Sequence, residues 1–129
     1  MIVNLVERYD KLVQAWSVRE FDQVGPNLRF KGKVIFIDDS VLFIRQVVLG
    51  ETTFKYAYHW QNREGQLISR WDNSPHWPEV ATYPHHKHIM KGNEIVVRES
   101  HGGDLEQIFE EIAKKNAWPQ MSLMKRCTM

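Results

Sequence analysis

The segment Thr52–Asp72, TTFKYAYHWQNREGQLISRWD, decides the fold because polar and large apolar residues alternate in it on both sides of a turn. Alternation with a period of two puts the two kinds of residue on opposite faces of a strand. One face carries Phe54, Tyr56, Tyr58 and Trp60, and the other carries Lys55, Ala57, His59 and Gln61. Asn62–Gly65 forms the connection, with Gly65 placed for a positive φ. The segment therefore predicts a β-hairpin whose second strand is Leu67–Asp72.

Short extended runs separated by turn residues continue on both sides of this hairpin. Before it they cover residues 16–21, 28–36 and 41–49, with turns at 25–27, 38–40 and 50–51. After it, Pro75, Pro78 and Pro84 favour an ordered loop over residues 73–84, because proline is excluded from a central strand. Residues 84–89 then form a short strand or an extended rim, and residues 94–98 form another short strand. The pattern predicts a four- or five-stranded antiparallel meander.

Two amphipathic helices are predicted, one on each side of the strands. Residues 2–16 carry apolar side chains at steps of three and four, which is typical of one helix packed on a sheet. Asp104 is a good N-cap for a second apolar stripe from Leu105 to Ala113, and Pro119 stops that helix. The fold class predicted is α+β: an antiparallel β-meander flanked by N-terminal and C-terminal helices, both on one sheet face.

Composition limits the class of protein. The chain has 129 residues and a net charge of +1, which fits a single domain over residues 1–129, with a mobile tail from about residue 117. A lone cysteine, Cys127, excludes a disulfide framework and a thiolate metal site. No apolar run has the roughly 20 residues of a membrane helix, and no signal-peptide pattern is present. These features predict a cytoplasmic protein without a general nucleic-acid footprint, so such binding would need a local patch.

Histidines are concentrated in one part of the chain. Five of the six lie between Tyr56 and His88, which indicates a polar site, since each buried imidazole needs a hydrogen-bond partner. On the predicted hairpin, His59, Arg70 and Asp72 can meet on one side of the strand pair. They could bind an anion and move a proton. The alternative is a structural ion pair beside a hydrogen-bonded histidine.

The segment Pro84–His88, PHHKH, is the sharper signal. In an extended chain His86 and His88 point to one side and His85 to the other. The residue types allow a metal site, acid–base cleavage of RNA with Lys87 and Arg70 countering phosphate charge, or a solvated loop without chemistry. Trp71 and Trp77 suit stacking on bases or ordinary packing. The absence of a glycine-rich phosphate loop argues against ATP and dinucleotides.

Four motifs in series resemble one known family. They are Tyr58-His59-Trp60-Gln61, Arg70-Trp71-Asp72-Asn73, Pro75-His76 and Pro84-His85-His86-Lys87-His88. Together with the leading helix and the acidic closing helix, they resemble the TumE-like toxins of bacterial and archaeal type II toxin–antitoxin modules. The resemblance implies a toxin held in check by an antitoxin encoded nearby, and it suggests RNA as the target. It supplies no catalytic mechanism.

The sequence thus predicts a toxin that is a metal-independent endoribonuclease, with no cofactor and no membrane contact. The predicted catalytic residues are His85, His86, His88, Arg70 and Asp72, and the predicted substrate-binding residues are Lys87, Tyr58, His59 and Trp71. RNA and the antitoxin are the predicted partners. The two alternatives are a binding or regulatory module without catalysis and a metal-dependent hydrolase.

Overall fold

The computed structural model describes residues 2–117, which form one antiparallel sheet and two helices. The helices are α1 (Ile2–Arg8) and α2 (Leu105–Ile112), and α2 runs into a π-helical segment, Ala113–Ala117. The strands are β1 (Val13–Val24), β2 (Asn27–Phe36), β3 (Val41–Leu49), β4 (Thr53–Gln61), β5 (Leu67–Asp72), β6 (His86–Lys91) and β7 (Glu94–Glu99). The predicted tail, apart from residue 117, lies outside the described residues.

The sheet has seven strands in the order in which they occur along the chain, β1 to β7. The predicted meander is confirmed, but its size was underestimated, because β6 and β7 pair with β5 and extend the same sheet. The proline-containing segment between β5 and β6 forms no strand, as predicted. Every neighbouring pair is antiparallel, so side chains on one face lie in rows that cross the strands.

The predicted N-terminal helix is present, but its predicted extent over residues 2–16 was wrong. Helix α1 ends at Arg8, and the carbonyl of Tyr9 accepts hydrogen bonds from the amides of Leu12 and Val13, which turns the chain into β1. Strand β1 then pairs with almost the whole length of β2. A short apolar run fits helical and extended periodicity alike. Here the backbone hydrogen bonds offered by β2 decide the outcome, in a segment rich in β-branched and aromatic residues.

The hydrophobic core lies between the sheet and the two helices, which pack on the same face as predicted. Asp104 is the N-cap of helix α2, and its carboxylate accepts a hydrogen bond from the amide of Glu106. The residues that form the core are Ile2, Leu5, Val6, Leu12, Phe30, Val34, Phe36, Leu42, Ile44, Tyr56, Tyr58, Trp60, Trp71, Ile108, Phe109, Ile112 and Ala113. The aromatic side of the β4–β5 hairpin thus faces the helices.

The opposite side of the sheet, called the open face here, is covered by neither helix. It carries the alternate residues of each strand, among them Lys55, His59, Arg70 and His88. One face of the sheet therefore packs in the hydrophobic core, and the open face presents polar side chains. No helix within residues 2–117 has the length and apolar character needed to cross a membrane.

Candidate active site

Three residues predicted for the site form one row across three strands of the open face. His59 on β4 lies directly opposite Arg70 on β5, and Arg70 lies directly opposite His88 on β6. Adjacent strands are about 4.8 Å apart, so the backbones of the two histidines are separated by roughly 10 Å. The guanidinium of Arg70 thus has an imidazole on each side. The hairpin predicted from the sequence brought His59 and Arg70 together, and the pairing of β6 with β5 added His88.

The carboxylate of Asp72 lies beside this row and contacts two of its members, Arg70 and His88. Its Oδ1 accepts a hydrogen bond from the Ser74 amide at 3.0 Å and lies 3.0 Å from His86 Nε2. Its Oδ2 lies 3.3 Å from Arg70 Nε and 3.7 Å from His88 Nε2. The carboxylate is nearly buried, and four groups converge on it. One acidic side chain thereby contacts a guanidinium and two imidazoles.

His86 is the buried member of the group, with 2% of its surface exposed. Its Nδ1 lies 3.0 Å from the carbonyl oxygen of Pro84, and its Nε2 faces Asp72. Both ring nitrogens therefore lie within hydrogen-bond distance of an oxygen atom. Trp77 covers the ring and also meets His88 edge-on, with ring centroids 6.1 Å apart. His86 is thus placed to support the site and not to touch a large substrate.

His59 and His88, which are more accessible than His86, both have lowered pKa values. Burial lowers the pKa of His59 below its usual 6.5; Arg70 lowers it further, and a hydrogen bond with Gln61 opposes this. Burial also lowers the pKa of His88, where the carboxylate of Asp72 raises it and the charges of His86 and Arg70 lower it. A guanidinium beside an imidazole disfavours the protonated ring, and a carboxylate favours it.

Asp72, His86 and His88 also satisfy the spacing of a metal site. One ligand atom from each lies within 4.8 Å of the others, and two imidazoles with one carboxylate are a common donor set for transition metals. The same carboxylate, however, accepts from the Ser74 amide and pairs with the permanently charged guanidinium of Arg70. These contacts already meet much of the charge and hydrogen-bonding demand of Asp72 without a cation.

Two residues predicted for the site lie elsewhere. His85 precedes β6, and its Nδ1 is 2.8 Å from the hydroxyl of Tyr56, a core residue. Lys87 lies opposite Trp71 on the helix face, where its Nζ is 3.1 Å from a carboxylate oxygen of Glu111 on α2. Alternation along the strand separates both from His86 and His88, as the sequence indicated for His85. Their contacts join the sheet to the helical layer.

Two predicted substrate-binding residues belong to the core. Tyr58 and Trp71 lie opposite each other on β4 and β5, and neither has exposed surface. The hydroxyl of Tyr58 donates to the carbonyl of Gly103 at 2.7 Å and accepts from the Gln46 amide at 2.8 Å. Burial raises the pKa of that hydroxyl well above its usual 10. A substrate on the open face therefore cannot contact either side chain.

The open face also carries a basic patch that the sequence reasoning missed. Strands β2, β3 and β4 contain no acidic residue, and all of their lysines and arginines point to the open face. These are Arg29, Lys31, Lys33, Arg45 and Lys55. With a net charge of only +1 for the whole chain, the patch is invisible in composition. Alternation within each strand indicates which basic side chains share a face. Only the register between strands shows that they lie next to one another.

Comparison with known protein families gives a match that covers most of the chain. The family model described as Toxin TumE matches residues 2–116, almost the whole described chain. The chain belongs to this toxin family. The resemblance to TumE-like toxins is thereby confirmed, and membership in the TumE family implies an antitoxin partner. No curated protein and no solved structure shows significant similarity to the chain.

Proposed function

We propose that this TumE-family toxin is an endoribonuclease that cuts RNA on its open face without a metal ion. The observation that carries the proposal is the row His59–Arg70–His88, in which a cation lies between two imidazoles. A phosphodiester held by Arg70 would have one histidine on each side of the phosphorus. In-line displacement needs this layout, because the attacking and leaving oxygens are on opposite sides.

The proposed reaction uses the 2′-hydroxyl of the RNA as the nucleophile. His59 in its neutral form takes the 2′-hydroxyl proton, and the oxygen forms a bond to phosphorus. The bond from phosphorus to the 5′-oxygen breaks, and His88 in its protonated form gives that oxygen a proton. We assign the acid to His88 because the nearby Asp72 carboxylate favours its protonated form. The products are a 2′,3′-cyclic phosphate and a 5′-hydroxyl end.

The other residues of the group have supporting roles in this proposal. Arg70 binds the phosphate and stabilises the charge that develops in the transition state. Asp72 and His86 are positioning residues: the carboxylate holds Arg70 and lies beside His88, while the buried His86 holds the carboxylate. Positioning of this kind matters because small displacements of catalytic groups cost large factors in rate.

Cleavage of single-stranded RNA is expected to continue in excess chelator, because the proposed chemistry needs only protein groups. The measurement is incubation of purified chain with labelled RNA, with and without chelator, followed by mass analysis of the product ends. Cyclic phosphate ends and no cleavage of the matching DNA strand would support the 2′-hydroxyl reaction. Loss of cleavage in chelator, restored by zinc or manganese, would favour the metal-dependent hydrolase. Tight RNA binding without any product would favour a non-catalytic binding module.

The pH optimum of cleavage is expected to lie below about 6.5, the ordinary pKa of histidine. The reaction needs neutral His59 and protonated His88, and burial and Arg70 lower the pKa of both. Rising pH removes the acid proton from His88, while falling pH blocks the base His59, so the profile is bell-shaped. A pH–rate profile combined with NMR titration of the two rings tests this. Titration midpoints above 6.5 would contradict the assignment.

A further inference from the structure

Beside the proposed catalytic row, the open face contains a pocket with a volume of about 280 Å³. Ala57 on β4 is one of its lining residues and lies between Arg45 on β3 and Asp72 on β5 in the register of the sheet. The small side chain of Ala57 leaves a depression between longer neighbours. The polar residues that line the pocket are Arg45, Lys55, Arg70, Asn73 and Ser74.

The pocket is lined by three cationic side chains and by no carboxylate. Within residues 2–115, no acidic side chain lies within ion-pair distance of Arg45 or Lys55. Arg70 lines the pocket and also belongs to the catalytic row, so the two sites share one guanidinium. Arg45 and Lys55, which form no ion pair within the described residues, therefore create a positive potential at the pocket that attracts an anion.

The rim of the pocket is fixed by hydrogen bonds from the residues after β5. The side chain of Asn73 accepts from the Tyr56 amide at 3.1 Å and donates to the Phe54 carbonyl at 2.7 Å. It therefore bonds to two backbone groups of β4. The amide of Ser74 donates to Asp72 at 3.0 Å. The pocket is therefore preformed on a rigid sheet, which lowers the entropic cost of binding.

We propose that this pocket binds the phosphate that neighbours the scissile one in single-stranded RNA, a deepening that rests on the proposed function. Arg45 and Lys55 hold the neighbouring phosphate, while Arg70 lies between the two and faces the scissile one. A nucleic-acid strand is the ligand favoured over a free phosphate, because the basic patch continues from Arg45 to Lys31 and Lys33. The toxin then distinguishes its substrates by the presence of a second phosphate.

The test compares two minimal substrates: a dinucleoside monophosphate, and the same dinucleotide with one added terminal phosphate, placed at the 5′ or the 3′ end in separate reactions. Wild-type chain is expected to show a KM about tenfold to hundredfold lower for one of the phosphorylated forms, the range of a charge-assisted contact. Arg45→Gln/Lys55→Gln should abolish that preference, so that the KM of the variant is the same for the phosphorylated and unphosphorylated substrates.

The matched control is Arg63→Gln/Lys91→Gln, which removes one arginine and one lysine from exposed positions: Arg63 lies in the turn after β4, and Lys91 is the last residue of β6. This control is expected to keep the preference. A preference that survives Arg45→Gln/Lys55→Gln, or that is absent from the wild type, would overturn the pocket proposal while cleavage itself stands.

A second measurement separates failure of the pocket from failure of the proposed chemistry. Binding of a fluorescent 2′-deoxy oligonucleotide, which lacks the nucleophile, is followed by anisotropy over a range of salt concentrations. Loss of one phosphate contact should reduce the salt slope of log Kd by about 0.7 in Arg45→Gln/Lys55→Gln. A reduced salt slope in the variant, without cleavage of any RNA by the wild type, would support the pocket proposal and contradict the endoribonuclease proposal. An unchanged salt slope would contradict the pocket proposal. Inhibition of cleavage by inorganic phosphate, with no effect of strand length on binding, would contradict it as well.

Discussion

Cells that express the His88→Ala chain are expected to grow like uninduced cells, whereas expression of the wild-type chain slows or stops growth. His88 is the proposed acid, and its imidazole is the accessible partner of Arg70 on β6. Removing a general acid typically costs a factor of about 10² to 10⁴ in rate. The measurement is growth after induction, together with RNA cleavage by the purified variant.

His101→Ala is the matched control, because His101 is an exposed histidine in the loop before α2. It is expected to remain as toxic as the wild type. The melting temperature of each purified variant shows whether loss of toxicity reflects lost chemistry or lost folding. A folded His88→Ala chain that still arrests growth at the wild-type expression level would exclude His88 as the acid.

Asp72→Ala is expected to lower the free energy of unfolding by about 3–5 kcal/mol, because it removes the buried carboxylate that pairs with Arg70 and with the buried ring of His86. For a domain of this size, that loss corresponds to a fall of about 10–20 °C in the melting temperature. The variant is also expected to lose cleavage, since Arg70 and His88 lose their common partner. Thermal and denaturant unfolding provide the measurement.

Asp22→Ala is the control, because Asp22 is an exposed carboxylate on β1 and its removal should change stability by under about 0.5 kcal/mol. A double-mutant cycle with His86→Ala measures the interaction between Asp72 and His86 directly. If the pair is coupled, the double variant should lose less stability than the sum of the two single variants. Additive losses would mean that His86 and Asp72 do not stabilise each other.

The antitoxin implied by family membership gives these substitutions a second use. A toxin variant that folds but lacks activity can be expressed without its partner. Folded His88→Ala chain is therefore suited to measuring antitoxin binding separately from toxicity. Variants of the basic patch would then show whether the antitoxin covers the open face.

The local elements that carry the site could be read from the sequence. Strict alternation over Thr52–Gln61 and a four-residue turn with Gly65 predict a hairpin that puts His59, Arg70 and Asp72 on one side, and the register confirms this. Alternation likewise separates His85 from His86 and His88. Asp104 caps α2 as predicted. These features depend on neighbours within a few residues, and the chain encodes such contacts directly.

Only the tertiary structure decided the remainder. Residues 13–16 fit a helix by periodicity, yet they form a strand because β2 supplies partners for their backbone groups. The sequence did not reveal that β6 pairs with β5, and this pairing places His88 beside Arg70 and turns His86 toward Asp72. The pocket around Ala57 likewise joins residues from three strands and a loop. Registers between distant segments are set by burial of the whole aromatic face against the helices, a free energy that no local pattern contains.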